Sequence, residues 1–193
     1  MLRLKLATDP RWLEIVESNI PEILSDHAWC EQKAASNAIS IVVNFPEYPD
    51  LVKAMYELAK EELTHFMQVH NIILDRGLSL GKERKDEYVN ELGKFIRKGG
   101  KRQTVLVDRL LFAAMIEARS CERFRMLSEN ISDPELAKFY NELMISEAGH
   151  YALFISFARQ YGEGEDVDKR WEEILDYEAS IMKSFSKKET IHG

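Results

Sequence analysis

Two short motifs in this 193-residue chain have the make-up of a metal-binding face. Glu62-Leu63-Thr64-His65 and Glu147-Ala148-Gly149-His150 each set a carboxylate and an imidazole three residues apart. On a helix that spacing brings both side chains to one face. Mixed oxygen and nitrogen donors of this kind suit iron. One such motif is weak evidence, because 23 glutamates and five histidines in a chain of this length give about 0.6 matches by chance. A third match, Glu189-Thr190-Ile191-His192, sits in a polar tail with no partner helix and reads as that coincidence. The first two gain weight from their place in the chain.

Apolar residues recur at three- and four-residue spacing over long stretches, and no strand alternation persists. The spacing predicts long helices over residues 21–44, 49–76, 104–130 and 134–161. Pro21 suits a first turn, and Gly77 and Gly162 suit helix ends. Ser132 with Glu135 three residues on reads as a capping box for the fourth helix. Short helices are expected over 9–18 and 166–185, the latter with Trp171, Ile174, Leu175, Ile181, Met182 and Phe185 on one face. Turns at 45–48 and 131–133 make two antiparallel hairpins, joined by a long polar connection over 78–103. Short, long, short is the connectivity of a ferritin-like four-helix bundle with one crossover. The chain is expected to form a single all-α domain over 1–193.

The hairpins put four glutamates at one height. Glu31 precedes Asn44 by 13 residues and Glu62 follows Pro49 by 13; Glu117 precedes Asn130 by 13 and Glu147 follows Pro134 by 13. The halves look like a structural duplication, though their sequences are barely alike. Each glutamate lies in an apolar stripe, such as Leu24, Ala28, Ala35 and Ala38 around Glu31, or Tyr140, Leu143 and Phe154 around Glu147. An uncompensated carboxylate there would cost several kcal/mol. No Lys or Arg is expected to be buried at that level, so two metal ions are expected to supply the positive charge. Surface glutamates that merely align are the competing reading. Glu122 competes with Glu117 but lies ~7.5 Å from the Glu147 level along the axis, so it is expected to support the site, not to ligate. Glu61 is expected at the surface. His27 and His70 read as structural, with His27 one turn from Glu31 and able to line the cavity. Cys30 and Cys121 read as small buried apolar residues.

At these residues the sequence resembles the MiaE family of tRNA hydroxylases. The resemblance rests on residues 26–35 (Asp-His-Ala-Trp-Cys-Glu-Gln-Lys-Ala-Ala), Glu61-Glu62-Leu63-Thr64-His65-Phe66, Ile116-Glu117-Ala118-Arg119-Ser120-Cys121-Glu122-Arg123-Phe124 and Ser146-Glu147-Ala148-Gly149-His150. It covers residues 4–185. The Glu-Ala-Arg-Ser-Cys-Glu-Arg-Phe run is its most specific part, since the other motifs are shared by ferritin-like di-iron proteins at large. The resemblance implies Glu31, Glu62, His65, Glu117, Glu147 and His150 as catalytic ligands of two iron ions. It implies O2-dependent hydroxylation of the isopentenyl group of 2-methylthio-N6-isopentenyladenosine, beside the tRNA anticodon. Two electrons per turnover must come from an external donor, a reductase or ferredoxin-like carrier, because the chain shows neither a Gly-rich dinucleotide fingerprint nor Cys-x-x-Cys. Iron oxidation and storage, peroxide reduction, and hydroxylation of another apolar substrate such as a quinone are the alternatives.

The net charge of -7 argues against a protein that coats nucleic acid with its whole surface. Residues 82–102 run against that balance, with eight Lys and Arg to four acids, or +4. With the resemblance, this marks Arg97, Lys98, Lys101 and Arg102 as candidates for RNA contact. No apolar run is long enough to span a bilayer and the N-terminus lacks a secretion signal, so a cytoplasmic location with no membrane partner is expected.

Overall fold

Prolines mark where three of the four long helices begin. The computed structural model describes residues 2–184 and 190–191, so Phe185, Glu189 and His192 lie outside the described residues. The helices are α1 (Arg11–Glu17), α2 (Ile20–Asn44), α3 (Pro49–Asp75), α4 (Glu87–Leu92), α5 (Arg102–Asn130), α6 (Pro134–Tyr161) and α7 (Val167–Ser184), and the described residues contain no strand. Proline stands in the first two positions of α2, α3 and α6, where its missing N–H is a donor that has no partner in the helix anyway. Gly77 ends α3 with φ +68°, a left-handed conformation that costs glycine little. The cap of α6 differs from expectation: Asp133, not Ser132, accepts from the Glu135 and Leu136 backbone N–H groups at 3.0 and 3.1 Å. A carboxylate caps as well as a hydroxyl and adds a charge favoured by the helix dipole. Ser132 turns its own N–H to the Glu17 carboxylate instead, at 2.7 Å.

The chain divides into two compact units. One is built on the α2–α3 hairpin, where Leu24, Ala28, Ala35, Ala38 and Ile41 and, from α3, Met55, Leu58, Val69 and Ile73 are buried. Each large apolar side chain removed from water in this way contributes roughly 1.5–3 kcal/mol. The chain after α3 runs back along α2: Trp29 donates to the Gly81 carbonyl at 2.8 Å, and the Gly81 N–H donates to Ser25 at 3.0 Å.

The other unit is built on the α5–α6 hairpin, with α1 and α7 packed against α5 and α4 against α7. The crossover was expected as bare connection but carries α4 and a 3-10 turn, Gly93–Phe95. Tyr88 and Leu92 explain this, for both are buried. α7 buries the expected face of Trp171, Ile174, Leu175 and Ile181. Among the described residues, no helix is long and apolar enough to cross a membrane.

Candidate metal centre

In the first hairpin α2 presents Glu31, and α3 presents Glu62 and His65 on one face. One ligand atom from each lies within 4.8 Å of the other two. His65 Nδ1 stands 3.3 Å from Glu62 Oε2 and 3.6 Å from Glu31 Oε2. In the second hairpin α5 presents Glu117, and α6 presents Glu147 and His150. Their ligand atoms also lie within 4.8 Å of one another, with His150 Nδ1 3.3 Å from Glu147 Oε2. The two histidines thus use the same ring nitrogen at the same distance. All six residues are at most 6 % exposed, which excludes the reading as aligned surface glutamates.

His27 belongs to the first half-site. It is fully buried, and its Nε2 lies 2.7 Å from Glu31 Oε1. The sequence left this role open, since spacing alone shows only that the two are one turn apart. Burial pushes the Glu31 carboxyl up, but its hydrogen bonds with His27 and His65 outweigh that and hold it well below the usual carboxylate range. Burial pulls His65 down, but its hydrogen bonds to Glu31 and Glu62 outweigh that and raise it to about 9. On the second hairpin the position equivalent to His27 is Ala113.

The expectation that no Arg is buried near the ligands does not hold. Arg119, two residues after Glu117, is fully buried, and Arg123 is nearly so. Arg119 donates to Glu178 through Nε at 3.0 Å, to Glu122 at 3.0 Å and to the Leu6 carbonyl at 3.0 Å. Glu122 also accepts from the Thr8 N–H at 2.9 Å and from its hydroxyl at 2.5 Å. Arg123 lies over the Trp12 ring, 4.6 Å from its centroid. Burial and the neighbouring Arg119 bring the Arg123 guanidinium down to about 10. Glu178 and Glu122 balance these cations, leaving them no share in neutralising the ligands. The distinctive run 117–124 therefore divides its labour: Glu117 faces the metal half-site, while Arg119, Glu122 and Arg123 clamp the N-terminal segment and α7 onto α5. Cys121 is buried as expected, its thiol 3.4 Å from the Met144 carbonyl, and Cys30 is half-buried.

The basic candidates separate in the same way. Arg97 donates to Asp108 through Nε and Nη2 at 2.9 Å and to Glu165 at 3.1 Å, and Arg170 donates to the same buried Asp108. Arg97 is built into the frame. Lys98 and Lys101 are exposed on the loop it anchors, and Arg102 is exposed at the start of α5. Gly99 and Gly100 there take φ +91° and +96°, which only glycine adopts easily.

Across residues 2–193 the chain matches the family described as tRNA-(MS[2]IO[6]A)-hydroxylase (MiaE). The chain belongs to this family. The tRNA 2-(methylsulfanyl)-N(6)-isopentenyladenosine(37) hydroxylase of Pseudomonas putida is 35% identical to it over 186 residues, covering 96% of this chain and 89% of that protein. The protein of the same name from Salmonella typhimurium is 28% identical, over 91% of this chain and 81% of its own. A solved Synechococcus structure, described as Protein 43 with aldehyde deformylating oxygenase activity, aligns with a TM-score of 0.90 at 33% identity. It covers 98% of this chain and 95% of its own. With the helices above, this MiaE-family chain is an all-α ferritin-like bundle.

Proposed function

We propose that this chain is a non-haem di-iron monooxygenase that hydroxylates the isopentenyl group of 2-methylthio-N6-isopentenyladenosine in tRNA, acting in the cytoplasm as one catalytic domain over residues 1–193. The observation that carries the reading is the pair of matched, buried half-sites in a chain that follows the tRNA hydroxylase family over residues 2–193. The donor set fits iron: each half-site offers two carboxylates and one imidazole, with no thiolate among them. Glu31, Glu62, His65, Glu117, Glu147 and His150 would hold two iron ions, and their four carboxylates would offset the metal charge. Iron, when bound, activates O2 for insertion into the C–H bond. The protein supplies position and a dry surround. His27 holds Glu31 ionised and oriented, and the apolar stripes of α2, α3, α5 and α6 keep water away.

Each turnover follows R–H + O2 + 2e⁻ + 2H⁺ → R–OH + H2O, with both electrons from an external carrier. The substrate nucleoside lies in a single-stranded loop, where a base can be splayed out without groove readout. Lys98, Lys101 and Arg102 are its phosphate contacts, and Arg97 holds their loop in place. Changing those three to Glu weakens tRNA binding and flattens its salt dependence, with iron content unchanged.

Nucleoside analysis of tRNA from cells with and without the gene tests the reading. Loss of the hydroxylated nucleoside is expected, with the unhydroxylated form accumulating. An unchanged nucleoside profile would sink it. The Synechococcus likeness makes an aliphatic aldehyde the control substrate: turnover of that alone, with no tRNA product, would replace the reading. A hollow oligomer that mineralises iron would point to storage.

A further inference from the structure

Asp108 stands in the second turn of α5 and is fully buried. Its carboxylate takes five hydrogen bonds. Arg97 forks onto it through Nε and Nη2, and Arg170 of α7 does the same, all four contacts at 2.9 Å. The Arg97 backbone N–H adds the fifth, at 2.8 Å. Burial pushes the Asp108 carboxyl up, but its hydrogen bonds with Arg170 and Arg97 outweigh that and hold it below its usual range. It is therefore fully charged at neutral pH. The same two arginines grip both ends of the basic loop. Arg170 donates to the Phe95 carbonyl at 2.9 Å on the entry side, and its guanidinium lies 3.7 Å from the centroid of the Phe95 ring. On the exit side Arg97 donates to the Thr104 carbonyl at 3.3 Å and to Glu165 at 3.1 Å, and Glu165 also accepts from the Thr104 hydroxyl at 2.7 Å. The loop is thus closed at its base by one buried carboxylate. At its tip Gly99 and Gly100 hold positive φ, where a glycine pair left unanchored would visit many other conformations. The side chains of Lys98 and Lys101 make no hydrogen bond or ion pair among the described residues.

We propose that Asp108 is the positioning residue for tRNA binding: acting through Arg97 and Arg170, it fixes the loop so that Lys98, Lys101 and Arg102 are held ready to meet phosphates. The proposal rests on the tRNA hydroxylase reading above. Asp108 is fully buried and so never touches the RNA itself. A loop fixed before binding does not have to be ordered during binding, and that raises affinity without any new contact. This role has a sign that charge alone does not give. A carboxylate close to a basic loop repels a polyanion, so by charge counting its removal tightens tRNA binding. By positioning, its removal weakens tRNA binding, because the loop cations lose their fixed spacing.

The probe is tRNA carrying 2-methylthio-N6-isopentenyladenosine, titrated against the full chain by fluorescence anisotropy. Asp108→Asn should raise Kd roughly tenfold. In turnover the KM for tRNA should rise with it, while kcat at saturating tRNA and iron content stay at the parent values. Asp108→Asn also leaves Arg97 and Arg170 with one carboxylate fewer, which lowers stability. Arg97→Lys is therefore the second, gentler variant. It keeps the charge and leaves the Arg170–Asp108 pair in place, but an ammonium cannot make the two-pronged contact. It should weaken tRNA binding by a smaller factor, roughly threefold or more, where a role of Arg97 as mere positive charge predicts no change. Circular dichroism at the assay temperature verifies that each variant folds, and Arg97→Lys decides alone if Asp108→Asn does not. Asp108→Asn binding tRNA as tightly as the parent, or more tightly, overturns the proposal. So does Arg97→Lys binding as the parent does, or losing kcat and iron together with affinity. If Lys98→Glu, Lys101→Glu and Arg102→Glu combined leave tRNA binding unchanged, the loop is no RNA contact and that part of the reading above fails. This is a different result from a loop whose charges matter and whose anchor does not.

Discussion

The two hairpins offer the same three donors at the same register but support them by different means. In the α2–α3 hairpin the support is electrostatic and close: His27 reaches Glu31 at 2.7 Å from one turn away. In the α5–α6 hairpin the equivalent residue is Ala113, and the buried cluster of Arg119, Glu122, Arg123, Glu178 and Thr8 near Glu117 in sequence ties α5 to the N-terminal segment and α7. The outer sides differ likewise. One groove stands open with exposed Ile39, Tyr56 and Leu63, while residues 2–7 wall a cavity of about 700 Å3 on the other. Ligand geometry needs only a spacing of three on one helix and one more carboxylate on its neighbour. What surrounds the candidate donors is free to differ, and there the two hairpins do differ.

If the half-sites are equivalent as metal donors, Glu62→Ala and Glu147→Ala should be equally damaging. Anaerobic reconstitution with ferrous iron should load two irons per parent chain and lose at least one in either variant, with hydroxylation abolished. Unequal loss would mean that one half dominates. Glu117→Ala should match them, whereas Glu122→Ala should keep both irons. Its cost is to stability, about 3 kcal/mol, because the buried Arg119 loses one of its carboxylates; the denaturant midpoint measures this.

In the metal-free chain His65 is raised from 6.5 to about 9. The folded state therefore holds that proton more tightly than the unfolded chain. This contributes up to about 3 kcal/mol below pH 6.5, lost as the pH rises through about 9. Unfolding of metal-free protein at about pH 6 and about pH 9.5 measures it, and His65→Gln should remove the difference. Iron displaces the same proton, so iron affinity should strengthen over that window. The smallest effect is expected for His27→Ala, which removes support from one half-site only. Affinity for one iron should fall roughly 10–100-fold in a chelator competition, and Ala113→Ser in the other hairpin should change nothing comparable.

Helix period, proline and glycine positions and two Glu-x-x-His motifs were enough to place the four long helices within two residues at every end. Counting from the turns also picked Glu117 over Glu122, because height along a helix is set by residue number alone at ~1.5 Å per residue. Those properties are local, so the chain's order of residues determines them by itself. The clamp around Arg119 was not legible in this way. Its members come from residues 6, 8, 119, 122 and 178, far apart in sequence, and a buried arginine reads like a surface one until its carboxylates are in place. The same is true of Arg97, which a charge count groups with Lys98, Lys101 and Arg102 but which the fold spends on Asp108 and Glu165. His27 lay between the two cases, its distance from Glu31 readable and its contact not, since a side chain one turn away meets its neighbour only if both turn to the same buried side. Spacing along one helix thus picked out the six candidate donors, while only the tertiary structure decided that Arg97 and Arg119 are spent on buried carboxylates, because pairing depends on three-dimensional proximity that sequence separation does not record.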